Sequence, residues 1–480
     1  MASPVISLSD GFAAPTQADW LALVEKTLKG ASADTLISRT TDGLAVRPLY
    51  VAADAAHALS FTPASRGGDA AWDIRAVVAG ADIATANSAA LDALAGGAAS
   101  ILVRIGAAPG TGAPVASADD LRRLLEGVMT DVAPVALDAG ALGVDAALWL
   151  SQAAKSAPAA ALALHIDPLG ALAASGRSAG PVEGHIAAAA RVGVSLAETY
   201  PRASLFLASG VVAHEAGASP TWELAFATAS AVAYAKALVA AGLTVGEAFS
   251  RIVLGFAAEA QPLTAISKLR AARLLWARVV QACGAPELVA RIEARSSARM
   301  LTRADRWTNL IRLTSAGFGA AVGGADAIVL GAFTDALGAP DAFALRMARN
   351  TQLILMDEAH LGAVADPSGG AWAVEALTAD LAINAWDAFV AIEKAGGAAA
   401  ALAGGLLAEH VANGRAALEA DLAARTLRLI GVTDFKAADE TVPAPAADAE
   451  GPELPAPAPA DGPDTVCIPL SPIRLEALAQ

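Results

Sequence analysis

The chain has 480 residues, 55% of them apolar and 17% charged, which is enough for one large domain with a full core plus appendages. A formal net charge of −15 excludes nucleic acid and anionic membrane surfaces as natural partners, since most of the surface would repel them. No uncharged stretch reaches the roughly 18 residues that a membrane helix needs.

Cys283 and Cys467 are too few and too far apart for a disulfide framework or a thiolate metal site, and no metal site is expected. The N-terminus has no basic region followed by an apolar core, and Asp10, Asp19 and Glu25 argue against a transit peptide. The cytoplasm is the expected location.

In chain order, residues 16–30 read as an opening helix started by Thr16 and Asp19 in a capping-box pattern and closed by Gly30. Trp20, Leu23, Val24 and Leu28 share one face, so this helix must pack on its own barrel or on a partner. Residues 1–60 are expected to form an N-terminal, partner-contacting arm.

From about residue 100, short apolar runs alternate with helical patterns. The runs are Ile101–Ile105, Val135–Leu137, Ala161–Ile166, Ser204–Ala208, Arg251–Phe256, Leu288–Ile292, Ala327–Leu330 and Leu353–Met356. Eight such runs predict an α/β fold, a (βα)8 TIM barrel of parallel strands, over residues 61–435. The stretch Ile266–Ala282 predicts a barrel helix with Ile266, Leu269, Leu275 and Trp276 inward and Lys268, Arg270 and Arg278 outward.

The segment Arg346–Gly397 predicts the closing βα unit, with Leu353–Met356 as its strand. The stripe Leu377, Leu381, Ala385, Ala388, Phe389 and Ile392 marks the buried face of its long helix. Residues 437–465 are an Ala/Pro/acidic tract that cannot build a core. Residues 436–480 are therefore expected to be a disordered linker ending in a short docking peptide, since Ile468, Leu470, Ile473, Leu475 and Leu478 return after it.

The string Arg346-x-x-Arg349-Asn350-Thr351-Gln352-Leu353, followed by Asp366-Pro367-x-Gly369-Gly370 and Ile392-Glu393-x-x-Gly396-Gly397, closely resembles the adenosylcobalamin-dependent acyl-CoA mutases. Methylmalonyl-CoA mutase is the best known of that family. Thr41-Asp42-Gly43 and Arg47-Pro48-Leu49-Tyr50, with the opening helix, resemble the start of its small subunits.

The resemblance implies a radical reaction whose reactivity comes from the cofactor, positioned by the protein. It also implies an Asp-x-His-x-x-Gly loop, on a separate domain, that offers a histidine to cobalt. None of His57, His165, His185, His214, His360 and His410 has that context, and the chain stops about where that domain would begin. Adenosylcobalamin is therefore expected to enter through a large subunit, with none bound by this chain.

Catalytic relatives carry a Tyr-His pair inside a Ser-Gly-Tyr-His-x-x-Glu-Ala-Gly string. Here the string reads Ser209-Gly210-Val211-Val212-Ala213-His214-Glu215-Ala216-Gly217. Val211 and Val212 cannot donate to a thioester oxygen. His214 is expected to be a structural loop histidine, and is kept as a weak substrate candidate.

An Ile-Gln-Asn-Asp run is replaced by Ile166-Asp167-Pro168-Leu169, and Arg177 is the remaining weak candidate for a substrate carboxylate. The tyrosine approach to the first strand is represented only by Trp72-Asp73-Ile74-Arg75, and a later polar signature by Arg295-Ser296-Ser297-Ala298-Arg299. Arg346, Arg349, Asn350, Gln352, Asp366, Pro367, Gly369 and Gly370 are read as structural or partner-contacting.

A polyanionic CoA ester would need a basic cluster, and Arg270, Arg273 and Arg278, or Arg299, Arg303, Arg306 and Arg312, are the available ones. Each is read first as a solvated helix face or a subunit contact. The expected function is the small, non-catalytic subunit of a heterodimeric methylmalonyl-CoA mutase, paired with a large catalytic subunit that handles acyl-CoA. The alternatives are a catalytic barrel served by a separate cobalamin chain, and a non-enzymatic scaffold for such a mutase.

Overall fold

Eight parallel strands close into a barrel, each followed by helix, as the alternation predicts. The strands are Asp73–Val78 (β1), Ser100–Arg104 (β2), Val135–Asp138 (β3), Leu162–Ile166 (β4), Ser204–Ser209 (β5), Ile252–Ala258 (β6), Ile292–Ser296 (β7) and Ala327–Val329 (β8). Pairing of β8 with β1, Ala327 opposite Asp73, completes the ring. The computed structural model describes residues 15–55, 71–106, 112–436 and 453–479; His57 lies outside them.

Strands covered by helices on one side and barrel contents on the other read as nearly continuous apolar runs, and every residue of Ile252–Ala258 is buried. Two of the expected strands are corrected. Leu353–Met356 is helical: the helix Ala342–Leu353 runs on through one π turn, Ile354–Glu358. A short apolar run has no periodicity that separates helix from strand. The strand that was missed is β1, whose Asp73 and Arg75 break the apolar pattern because they point into the barrel.

The run Leu288–Ile292 is displaced as well. Ile292 begins β7, while Leu288 lies in the preceding loop, where its carbonyl accepts from Trp276 Nε1 at 3.1 Å. The helix Pro262–Ala282 forms as predicted, but Lys268 and Arg270 are buried rather than outward.

The helix Trp372–Lys394 buries the predicted stripe, including Leu377, Leu381, Ala385, Phe389 and Ile392, by lying across Pro220–Ala240 and Pro262–Ala282. It adds an outer layer over that side of the barrel. Pro220–Ala240 is, among the described residues, the one helix long and apolar enough to cross a membrane, and 67% of its most apolar window is buried within the molecule.

At the N-terminus, Thr16 and Asp19 form the expected capping box on the helix Gln17–Thr27. None of that helix's residues is buried, and its main contact is the 3-10 turn Ala33–Leu36. It therefore does not pack on the barrel. The arm is fastened further on, where Asp42 Oδ1 accepts from Thr221 N at 3.1 Å.

The C-terminal tract is not wholly a free linker. Residues 437–452 lie outside the described residues, but 453–479 run along the barrel as an extended strap. Cys467 N donates to Gly176 O at 2.9 Å and Leu470 N to Ala173 O at 2.8 Å, beyond β4. Ile473 N then donates to Glu215 O at 2.7 Å, beyond β5, and Leu475 N to Arg299 O at 3.0 Å, beyond β7. Ile473 and Leu475 sit in an apolar cluster with Leu418, Leu422, Leu429 and Val432. The expected docking peptide thus docks on its own barrel.

Candidate functional site

Along β2, Ile101 and Val103 belong to the core between strands and helices, while Leu102 packs with Ala136, Ala163 and Val329 in a small cluster of its own. Alternation assigns that cluster to the barrel interior. The same alternation turns Asp73 and Arg75 of β1, Asp138 of β3 and Glu293 and Arg295 of β7 inward.

These side chains fill the axis with paired charge. Arg75 Nη1 lies 2.6 Å from Glu293 Oε2, Arg75 Nη2 2.6 Å from Asp73 Oδ2, and Arg75 Nε donates to Ser100 Oγ at 2.9 Å. Arg295 bonds Glu293 Oε1 at 2.7 Å and Asp138 Oδ2 at 2.9 Å, and Arg104 Nε reaches Asp138 Oδ2 at 3.2 Å. Three guanidiniums face three carboxylates, so the plug is neutral.

Burial alone would raise the Glu293 pKa, but the Arg295 and Arg75 guanidiniums hold it far below the usual carboxylate range. His165, 3.8 Å from Glu293, is lowered to about 4 by burial and is neutral at pH 7. It adopts φ 48°, beside a register shift in β4. A backbone in this region is uncommon for a residue other than glycine. Among the described residues the barrel interior is thus packed with side chains whose hydrogen-bonding capacity is largely spent on one another.

At the C-terminal end of β5, where TIM-barrel active sites gather, Val211 and Val212 open the short helix Val211–Ala216, both partly buried. Neither side chain can donate or accept a hydrogen bond. Gly210 before them is required by packing, because a Cβ there would overlap the Glu223 carbonyl.

His214 is on that helix, not in a loop, and is fully buried. Its Nε2 is 2.8 Å from Ser297 Oγ, and its Nδ1 is 3.2 Å from Glu223 Oε2. Serine, histidine and acid thus stand in the order of a nucleophilic relay. All three are 0% exposed, so no substrate reaches them. Glu223 also accepts from Lys268 Nζ and from Ala257 N, each at 2.6 Å. Burial pushes its pKa up, and Lys268 and His214 outweigh that, bringing it down to about 2. The group is a buried ionic tie between helices and strand.

The other sequence candidates disperse. Arg177 is exposed on the outer rim, where its Nε donates to Asp464 of the strap at 2.6 Å. Asp167 caps the helix Pro168–Ser175 and accepts from Tyr234 Oη, and burial pushes its pKa up to about 6.

The two arginine clusters are not solvated faces: Arg270, Arg273, Arg299 and Arg312 are buried, leaving Arg278 exposed and Arg303 and Arg306 partly so. Arg270 is tied to Asp366 and, at 2.6 Å, to Glu375, which also accepts from Gly370 N at 3.0 Å. Pro367 and Gly369 belong to that helix-to-helix loop rather than to a strand-to-helix one. Gln352 is buried and accepts from Trp72 Nε1 at 3.2 Å, and the Arg349 guanidinium lies against Gly96. Asn350 is partly buried, and Arg346 stacks over Phe343 at 5.5 Å.

What sequence reading missed is the interior plug. Its signal was present as charges two residues apart in otherwise apolar strands, Asp73 with Arg75 and Glu293 with Arg295. Among the described residues no group of three or more His, Cys, Asp or Glu side chains is placed to hold a metal.

Of the five described histidines, two are buried and two are engaged by neighbours. His165 and His214 are buried, His185 meets the Ala179 carbonyl at 2.8 Å, His410 stacks on Trp222 at 3.5 Å, and His360 lies in the loop after the π turn. The strap meanwhile crosses the loops after β4, β5 and β7 on the mouth itself.

Comparison with known proteins matches residues 70–453 to the family described as methylmalonyl-CoA mutase. The methylmalonyl-CoA mutase small subunit of Streptomyces virginiae is 41% identical over 472 residues, covering 93% of this chain and 75% of that protein. The probable small subunit of Mycobacterium tuberculosis (strain ATCC 25618 / H37Rv) is 38% identical, over 83% of this chain and 66% of its own length. That of Propionibacterium freudenreichii subsp. shermanii is 33% identical, over 92% and 73%. A filled barrel bearing the Arg346–Gly397 signature, with these matches over most of its length, places the protein: the chain belongs to the methylmalonyl-CoA mutase family.

Proposed function

We propose that this chain is the small, non-catalytic subunit of a heterodimeric methylmalonyl-CoA mutase. Its large subunit binds adenosylcobalamin and interconverts methylmalonyl-CoA and succinyl-CoA. The observation that carries the reading is the barrel interior: Arg75, Glu293, Arg295 and Asp138 pair across the axis, and Val211 and Val212 stand where catalytic relatives hold Tyr-His. A thioester oxyanion at that mouth would meet no donor from these two residues.

The N-terminal helix supports a partner. An isolated 11-residue helix is marginal in water, and this one leaves Leu21 and Leu23 exposed at 37% and 64%. It gains stability by docking on another chain. The names of the relatives, small subunits of a mutase, agree with this.

Co-expression with the large subunit tests the reading. An equimolar complex should carry all mutase activity, and this chain alone should show neither turnover nor tight adenosylcobalamin binding. Turnover by the isolated chain would overturn the proposal.

A further inference from the structure

The outer layer Trp372–Lys394 covers the helices after β5 and β6, but the helix after β7, Thr308–Val322, shows solvent an apolar face. Trp307, Ile311 and Phe318 are exposed at 53%, 70% and 37% and recur at steps of four and seven residues, one side of about 16 Å of helix. Trp307 stacks on Phe333 at 5.0 Å, and Phe333 meets the exposed Phe343 edge-on at 6.1 Å, which extends the face onto the next helix, Ala342–Leu353.

Two guanidiniums frame the patch. Arg306 lies 5.3 Å from the Trp307 ring and Arg346 5.5 Å from Phe343. Among the described residues neither has a carboxylate within ion-pair distance, in a chain with 48 acidic and 33 basic side chains. Single exposed apolar residues are ordinary, but Trp307 and Ile311 one turn apart, with Phe343 joined to Trp307 through the buried Phe333 and Phe318 beyond Thr314 and Ser315, make an apolar strip edged by arginine, which has the composition of an interface centre.

We infer that this strip is the surface on which the large mutase subunit docks, through an apolar face whose rim supplies carboxylates to Arg306 and Arg346. The inference rests on the proposed partnership and adds where the partner sits. Two arginines without a carboxylate partner among the described residues fit a partner whose rim is acidic, whereas a second copy docked strip to strip would bring guanidinium against guanidinium. Arg346, the first residue of the family signature, thereby has a role at the surface that the barrel itself does not give it.

The test uses the full chain and the co-purified large subunit, with association read by calorimetry and size-exclusion chromatography. Ile311→Asp and Arg346→Glu should each weaken the complex at least about tenfold, as loss of a central interface contact does. Leu148→Asp, across the barrel, should leave it unchanged. Both substituted side chains are largely in solvent, and an unchanged melting temperature confirms that the variants fold.

If the wild-type complex forms and both variants bind normally, the strip is not the docking surface, while the subunit partnership stands. If the variants instead disperse self-association of this chain and leave large-subunit binding intact, the occupant is a second copy and the inference fails. If the wild-type chain does not bind the large subunit at all, the proposed function fails, and this inference with it.

Discussion

Lys268 and Glu223 show how a buried charge becomes structural. Both are fully buried, 2.6 Å apart, and removing one strands the other in a medium that cannot solvate it. Lys268→Met should cost about 3–5 kcal/mol in urea denaturation, whereas Lys268→Met with Glu223→Leu should recover only part of that, because the buried Ala257 N–H then loses its acceptor. The pH dependence has a definite sign. Glu223 titrates near 2 in the folded chain against an ordinary value of 4.5, so its contribution is present above about pH 4.5 and lost as pH falls towards 2. Asp167 acts in the opposite direction. Its pKa is raised from 3.8 to about 6 by burial, as is that of Asp335, so stability falls as pH rises through that interval, and Asp167→Asn should reduce that slope in a series of melts between pH 4 and 6.5. At this scale the proposed loss of a catalytic pair rests on the sequence, where Val211 and Val212 stand in the string Ser209–Gly217; the structure adds only that both open a short helix, partly buried. The fates of Arg270, Arg299 and Lys268 were not legible in the sequence, since helical periodicity gives direction but cannot show that a carboxylate such as Asp366, Glu259 or Glu223 waits on the buried side.

Among the elements, the C-terminal strap departs most from expectation. Its Pro-rich composition argues against a core, and it builds none; it borrows one by lying in a groove of the barrel's rim. Gly180, at φ +91°, is the tightest point, because an added Cβ would overlap the Ala460 carbonyl. Gly180→Ala should cost about 1–2 kcal/mol from the backbone conformation alone. It should also speed amide exchange at Ala460 and Thr465, whose N–H groups donate to Ala179 and Gly180, and unchanged protection there would count against a seated strap. Seven of the eight expected strand runs overlap real strands, since buried parallel strands advertise themselves as apolar runs. The eighth failed at both ends of the ring for one reason. β1 hides its strand character behind Asp73 and Arg75, while the apolar Leu353–Met356 mimics a strand inside a helix.

For the molecule as a whole, the family signature belongs to the framework of the barrel. The Arg346–Gly397 segment closes the helical ring and clamps it, through Gln352 on Trp72, Asp366 on Arg270 and the long helix across two others. It serves the fold whether or not chemistry occurs. The barrel axis holds a neutral plug of ion pairs, so under the proposed function a Tyr-His pair placed at its mouth should not create activity. The double variant Val211→Tyr, Val212→His should remain inactive without the large subunit and should bind acyl-CoA no better than the parent chain. The decisive assay is methylmalonyl-CoA turnover with added adenosylcobalamin, for this chain alone, for the large subunit alone and for an equimolar mixture. This chain alone should show no turnover, and the mixture should show full turnover that survives substitution of this chain's His214. Turnover by this chain alone, abolished by that same substitution, would contradict the non-catalytic role.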